Sequence, residues 1–197
     1  MGLAEKKQID PKHVTEDVVT KALYEELCRD RSLLVARKWK GWSIRGTQER
    51  AEKQLFDREF DIAVFERGPR RLSSPFYEIG LTGYEIKGCT EKRGAPPFMD
   101  GLDQALVLLF EHADFAYLVY PDLGEQIRKR MSQLCDRYAP DVGLSFLQTN
   151  GTFWEFRKPR KNQHTTLDIK RDLLAKFLTS GNASARRIPD WARAGDY

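Results

Sequence analysis

The sequence predicts an α/β protein in which a mixed central β-sheet is flanked by helices. Three observations predict it. Phe60 to Phe65 alternates apolar faces with period two, and a second strand-like run extends from Phe76 to Gly88. Phe115 to Tyr120, ended by Pro121, is almost continuously apolar, as expected of a strand covered on both faces. Segments with apolar residues at helical spacing alternate with these strands, in the order helix, strands, helix, strand, helix, hairpin, helix.

The first helix spans Thr15 to Cys28, with Val18, Val19, Ala22, Leu23 and Leu27 on its apolar side and Thr15 as N-cap. Ser32 to Trp42 is rich in β-formers, and Arg45 to Gln54 is left open between a loop and a short helix. Gly68, Pro69 and two serines mark Arg67 to Pro75 as a turn or loop. The following strand should be interrupted near Gly80 and Gly83. Ala95-Pro96-Pro97 breaks the chain before a helix from Gly101 to Ala113, whose buried stripe is Leu102, Ala105, Leu106, Leu109 and Phe110. Glu125 to Tyr138 is amphipathic through Ile127, Met131, Leu134 and Tyr138. Val142 to Leu147 and Thr152 to Phe156 flank Asn150-Gly151, a dipeptide suited to a tight hairpin because both central residues must reach positive φ. A last helix near Leu167 to Leu178 can be closed by Gly181.

Residues 1–181 are expected to form one domain, since 197 residues with 41% hydrophobic content suffice for a single core. Residues 182–197 lack periodicity and are expected to be flexible, or docked by Trp191 onto a partner. A formal charge of +4 confines any polyanion site to a local patch. Cys28, Cys89 and Cys135 form no C-x-x-C pair, which excludes a zinc knuckle and a disulfide framework and fits a reducing, cytoplasmic setting. No apolar run approaches the ~18 residues of a membrane span, so no membrane association is expected.

The chemistry centres on Tyr84-Glu85-Ile86-Lys87-Gly88. The strand period puts Glu85 and Lys87 on one face. If the strand of Asp61 is its neighbour, a second carboxylate stands beside Glu85, giving two hard oxygen ligands for Mg²⁺, which keeps several waters and needs few protein ligands. Phosphodiester hydrolysis needs an activated water and neutralisation of charge developing on phosphate oxygens. Lys87 can hold the attacking water or offset that charge.

Asp61 within EFDIAVF, followed 24 residues later by Glu85 in YEIKG, resembles the PD-(D/E)XK nuclease superfamily. The resemblance covers residues 15–121 and implies a restriction-endonuclease-like core, with the C-terminal helix, hairpin and helix (125–178) appended. Phe60 stands where that family commonly has proline. The resemblance implies a Mg²⁺-dependent DNA endonuclease, with Mn²⁺ as substitute, acting in repair, recombination or mobile-element DNA handling. It implies catalytic roles for Asp61, Glu85 and Lys87, and for Gln104 as the residue that orients the lysine or the phosphate. Leu108 occupies the place of the tyrosine in a Q-x-x-x-Y exonuclease motif. Many members add a first-helix glutamate to the metal ligands Asp61 and Glu85; Glu16 is favoured for this over Glu26.

A two-fold homodimer would let two sites address two strands. Arg157, Lys158, Arg160 and Lys161 follow an aromatic strand and are expected to contact DNA phosphates. Trp39 and Trp42, beside Lys38 and Lys40, are assigned to the core by default. His13, His112 and His164 are isolated polar residues, and Asp100, Asp103 and Asp114 are read as caps and helix-end charges. The rival readings are a non-catalytic nucleic-acid-binding module of the same fold and an exonuclease-like subunit of a larger complex.

Overall fold

The computed structural model describes residues 10–39, 59–70, 77–89, 98–110, 112–179 and 187–195. The sequence expectations for Arg45 to Gln54, Ala95 to Pro97, Lys40, Trp42 and Gly181, and for the side chain of Trp39, lie outside the described residues.

Six strands form one sheet in sequence order: β1 (Leu34–Trp39), β2 (Phe60–Arg70), β3 (Tyr77–Ile86), β4 (Phe115–Pro121), β5 (Val142–Leu147) and β6 (Phe153–Arg157). The pairs β1–β2, β2–β3 and β5–β6 are antiparallel, whereas β3–β4 and β4–β5 are parallel. The helices are α1 (Glu16–Leu27), α2 (Phe98–Phe110), α3 (Glu125–Tyr138), α4 (Leu167–Thr179) and the short α5 (Asp190–Arg193). The chain is thus an α/β protein with a mixed sheet, a C-terminal hairpin and a C-terminal helix. No described helix is long and apolar enough to cross a membrane.

Strand alternation sends side chains to two faces. On one, Val35, Ile62, Val64, Ile86 and Val119 pack with Val19 and Leu23 of α1. On the other, Phe65, Leu81 and Ala116 pack with Leu108 of α2 and with Leu173, Leu174 and Phe177 of α4. Further along that second face, Leu118, Tyr120, Leu144 and Phe146 meet Leu102 of α2 and Met131 and Cys135 of α3. The apolar clusters on both faces bury the large side chains that drive folding.

Several expectations are corrected. β2 continues through Gly68 and Pro69 to Arg70, because the pairing shifts between Arg67 and Arg70 and such an irregularity tolerates proline. β3 is not interrupted at its glycines: a Cβ on Gly83 would lie 2.9 Å from the Phe60 ring, so glycine there serves close packing. Phe110 is not part of the α2 stripe but 78% exposed; Leu108 is buried instead. The β5–β6 connection is longer than a two-residue turn. Gly151 alone takes positive φ (79°), while the Asn150 carboxamide accepts the Thr152 N–H at 3.0 Å.

Asp114 is neither cap nor helix-end charge. It is 2% exposed and accepts hydrogen bonds from Leu81 N (2.9 Å) and from Lys170 Nζ (2.8 Å). The segment expected to be a flexible tail is partly ordered: within 187–195, Trp191 is buried in the α4-side core and donates its indole N–H to the Ser32 carbonyl at 2.8 Å. Trp191 therefore packs on its own chain; 182–186, 196 and 197 lie outside the described residues.

Candidate active site

Sheet topology alone brings the acids together. The antiparallel register pairs Ile62 with Tyr84, and extending it by one residue sets Asp61 opposite Glu85 on the same face. The Asp61 carboxylate accepts the Ile86 N–H at 2.8 Å, which fixes its position at the end of β3. Glu85 is 6% exposed, and Lys87 Nζ donates to its Oε1 at 2.5 Å. The Lys87 ammonium also donates to Gln104 Oε1 of α2. Lys87 thus lies between a carboxylate and an amide oxygen, each of which accepts one of its protons.

Gln104 reaches Lys87 because α2 approaches closely. Gly101, one turn earlier, would place a Cβ 3.0 Å from Leu118 and 3.2 Å from both Lys87 Cγ and the Tyr120 hydroxyl. A side chain there would push the helix off the lysine. The first turn of α1 is held in a similar way. The Cys89 N–H donates to the Val14 carbonyl at 2.6 Å, and Gly88 lies against the backbone of Thr15 and Glu16.

The electrostatics follow from burial. Desolvation, and then the neighbouring Asp61 carboxylate, push Glu85 up to about 7 against the opposing pull of Lys87. Asp61 is raised to about 6, chiefly by desolvation and further by Glu16; the Ile86 N–H, Lys87 and Lys38 oppose the rise. Glu16 also acts on Glu85 in the same direction. The field of Glu16 is therefore felt at both acids. Glu26, the alternative from α1, instead pairs with Arg29 at 2.5 Å, near the opposite end of the helix.

The chain matches no family model, no curated protein and no solved structure. The site is therefore characterised by its own geometry.

Two buried carboxylates, the charge of Asp61 raising Glu85, form a hard-oxygen donor set whose repulsion a divalent cation would relieve. Among the described residues, no three acidic, histidine or cysteine side chains are drawn together as a ready-made cage. Asp61 and Glu85 are the two carboxylates that the strand register brings together, and Glu16 at the start of α1 acts on both.

The basic segment does not join this site. β6 runs antiparallel to β5: Arg157 pairs with Leu144, level with Leu118 and Glu85, and the chain beyond it runs to the end of the sheet away from Lys87. The Arg157 guanidinium pairs with Asp136 and donates to the carbonyls of Val142 (3.0 Å) and Pro140 (2.8 Å). Arg160 N–H bonds the Asp141 carbonyl at the start of β5, which holds the chain of Lys158 and Lys161 at that far end. Arg157, Lys158, Arg160 and Lys161, expected to contact DNA phosphates, thus lie on and just beyond the edge strand rather than around Asp61 and Glu85.

Sequence reasoning also passed over Gly88 and Gly101. Their signal was present: one glycine directly follows the acid-x-lysine, and the other lies one turn before Gln104.

Proposed function

We propose that the chain is a metal-dependent nuclease that hydrolyses DNA phosphodiester bonds, as an endonuclease. The observation that carries this reading is the bridged ammonium of Lys87, held by Glu85 and Gln104 on the sheet face shared by Asp61 and Glu85.

The division of labour follows from residue chemistry. Asp61 and Glu85 would bind Mg²⁺, or Mn²⁺ in its place. When bound there, the cation supplies an activated water and neutralises charge on the phosphate. Lys87, fixed in direction by Gln104, presents its remaining proton to the attacking water or to a non-bridging oxygen, where negative charge grows in the transition state. Holding the ammonium in place beforehand avoids reorganisation during the reaction. Glu16, the further candidate ligand from the first helix, would add negative charge to the same site.

The test is a cleavage panel of duplex, single-stranded, forked and four-way-junction DNA with Mg²⁺ or Mn²⁺, with Glu85→Gln as control. Cleavage by the parent protein and none by the variant is the expected result. No cleavage of any substrate, combined with retained DNA binding, would favour a non-catalytic binding module.

A further inference from the structure

Extending the β3–β4 pairing by one residue sets Lys87 beside Tyr120; Tyr120 pairs with Phe146, and Phe146 pairs with Trp154. Paired residues point to one face, so these four form a row across the sheet on the side of α2 and α3. Three strand spacings of ~4.8 Å put the Trp154 backbone about 14 Å from that of Lys87. The middle of the row is covered: Tyr120 is 0% and Phe146 1% exposed. Its outer end is open. Trp154 lies on the edge strand and is 39% exposed, an unusual setting for an indole.

The indole is held in place. The Arg128 guanidinium lies 4.9 Å from the Trp154 ring centroid, and Asp122 anchors that arginine by an ion pair. The Phe156 ring meets Trp154 edge-on, with centroids 5.1 Å apart at 85°. A rigid aromatic ring with cationic backing is the arrangement on which an unpaired base stacks.

We propose that Trp154 is a stacking subsite for an unpaired nucleobase, a few nucleotides along the strand from the phosphate held at Lys87. This rests on the nuclease reading and narrows its substrate to DNA with a single-stranded segment flanking the cut. In a continuous duplex the bases are paired and stacked on each other, and no base face is free to meet the indole.

The test is fluorescence anisotropy with the full chain in EDTA, using one labelled oligonucleotide as a single strand and as a duplex. Trp154→Ala should weaken single-strand binding by roughly 10-fold, within the range of base–aromatic stacking, and leave duplex binding unchanged. Trp154→Phe should keep most of the affinity and serves as the folding control, checked by a thermal melt. A single abasic residue moved along the strand should weaken binding by the parent at one position and have no such effect on Trp154→Ala. Equal single-strand affinity in parent and Trp154→Ala would overturn the subsite, as would equal losses on strand and duplex. Because EDTA removes the metal, Trp154-dependent binding supports the subsite even if no cleavage is found, so the two readings fail separately.

Discussion

Gly88 lies so close to Glu16 that a Cβ built on it would stand 2.0 Å from the Glu16 backbone nitrogen and 2.3 Å from the Thr15 carbonyl carbon. No rotamer change relieves a clash with backbone. The end of β3 and the start of α1 are therefore joined through a residue that can only be glycine. Gly88→Val should displace α1, lower the thermal midpoint by several degrees and reduce cleavage. Glu16→Gln should leave the midpoint nearly unchanged while weakening metal affinity. Calorimetry and a Mg²⁺ titration of cleavage separate the two; a normal midpoint and rate in Gly88→Val would show that the contact is dispensable.

Asp61 and Glu85 make stability depend on pH in an uncommon direction. Both carboxyls have folded-state values raised to about 6 and about 7, chiefly by burial. Between about pH 4 and 7 the folded chain therefore binds more protons than the unfolded one, and unfolding free energy falls as pH rises through that window. Metal-free protein should melt at a lower temperature at pH 7.5 than at pH 5. Asp61→Asn should flatten this slope and abolish cleavage. A midpoint that rises between pH 5 and 7.5 in the parent, and does so equally in Asp61→Asn, would refute the account.

Lys87→Ala should lower the cleavage rate by orders of magnitude with DNA affinity nearly intact, since its contribution arises in the transition state. Lys87→Arg should fare no better: a planar fork cannot reproduce a compact ammonium placed between Glu85 and Gln104. Gln104→Ala should fall between Lys87→Ala and the parent, because it frees the lysine's orientation while leaving its charge. Single-turnover kinetics would show this order, and parent-like rates in Lys87→Ala would remove the lysine from the mechanism.

Charge reversal at Lys158 and Lys161 should leave the cleavage rate and the salt dependence of DNA binding unchanged, since this segment sits at the far end of the sheet. A flatter slope of log affinity against log salt would place DNA on that end after all.

Lys170→Met should destabilise the fold by about 3–5 kcal/mol, because it leaves the buried Asp114 carboxylate without its cation. Pairing it with Asp114→Leu should recover part of that loss. Denaturant titration of the single and double variants measures the difference, and additive losses would argue against a coupled pair.

Much of this architecture was legible because it is written locally. Period two in Phe60 to Phe65 gives the strand and period 3.6 in Glu125 to Tyr138 the helix, although Ile127 and Tyr138 of its expected stripe are exposed and Met131 and Cys135 are the buried positions; the acid-x-lysine spacing puts Glu85 and Lys87 on one side. Glu16 and Gln104 were singled out through the resemblance, on helices that apolar periodicity had placed. What escaped depends on tertiary placement. Asp114 and Lys170 are 56 positions apart, and neither has a local pattern that names the other. The composition of the basic run says nothing about which way it leaves the sheet. Pro69 was read as a breaker because a strand irregularity that accommodates proline has no local signature.

The hydrogen bond from Trp191 to the Ser32 carbonyl spans 159 positions of chain, and the same core holds Leu34, Phe65 and Phe177. During synthesis, the apolar edge around Leu34 waits exposed until residue 191 has left the ribosome. Native closure therefore waits for residue 191, and its long-range contacts make it slow. For as long as that takes, β1 and β2 present an uncovered apolar face to whatever holdase or neighbouring chain meets them first.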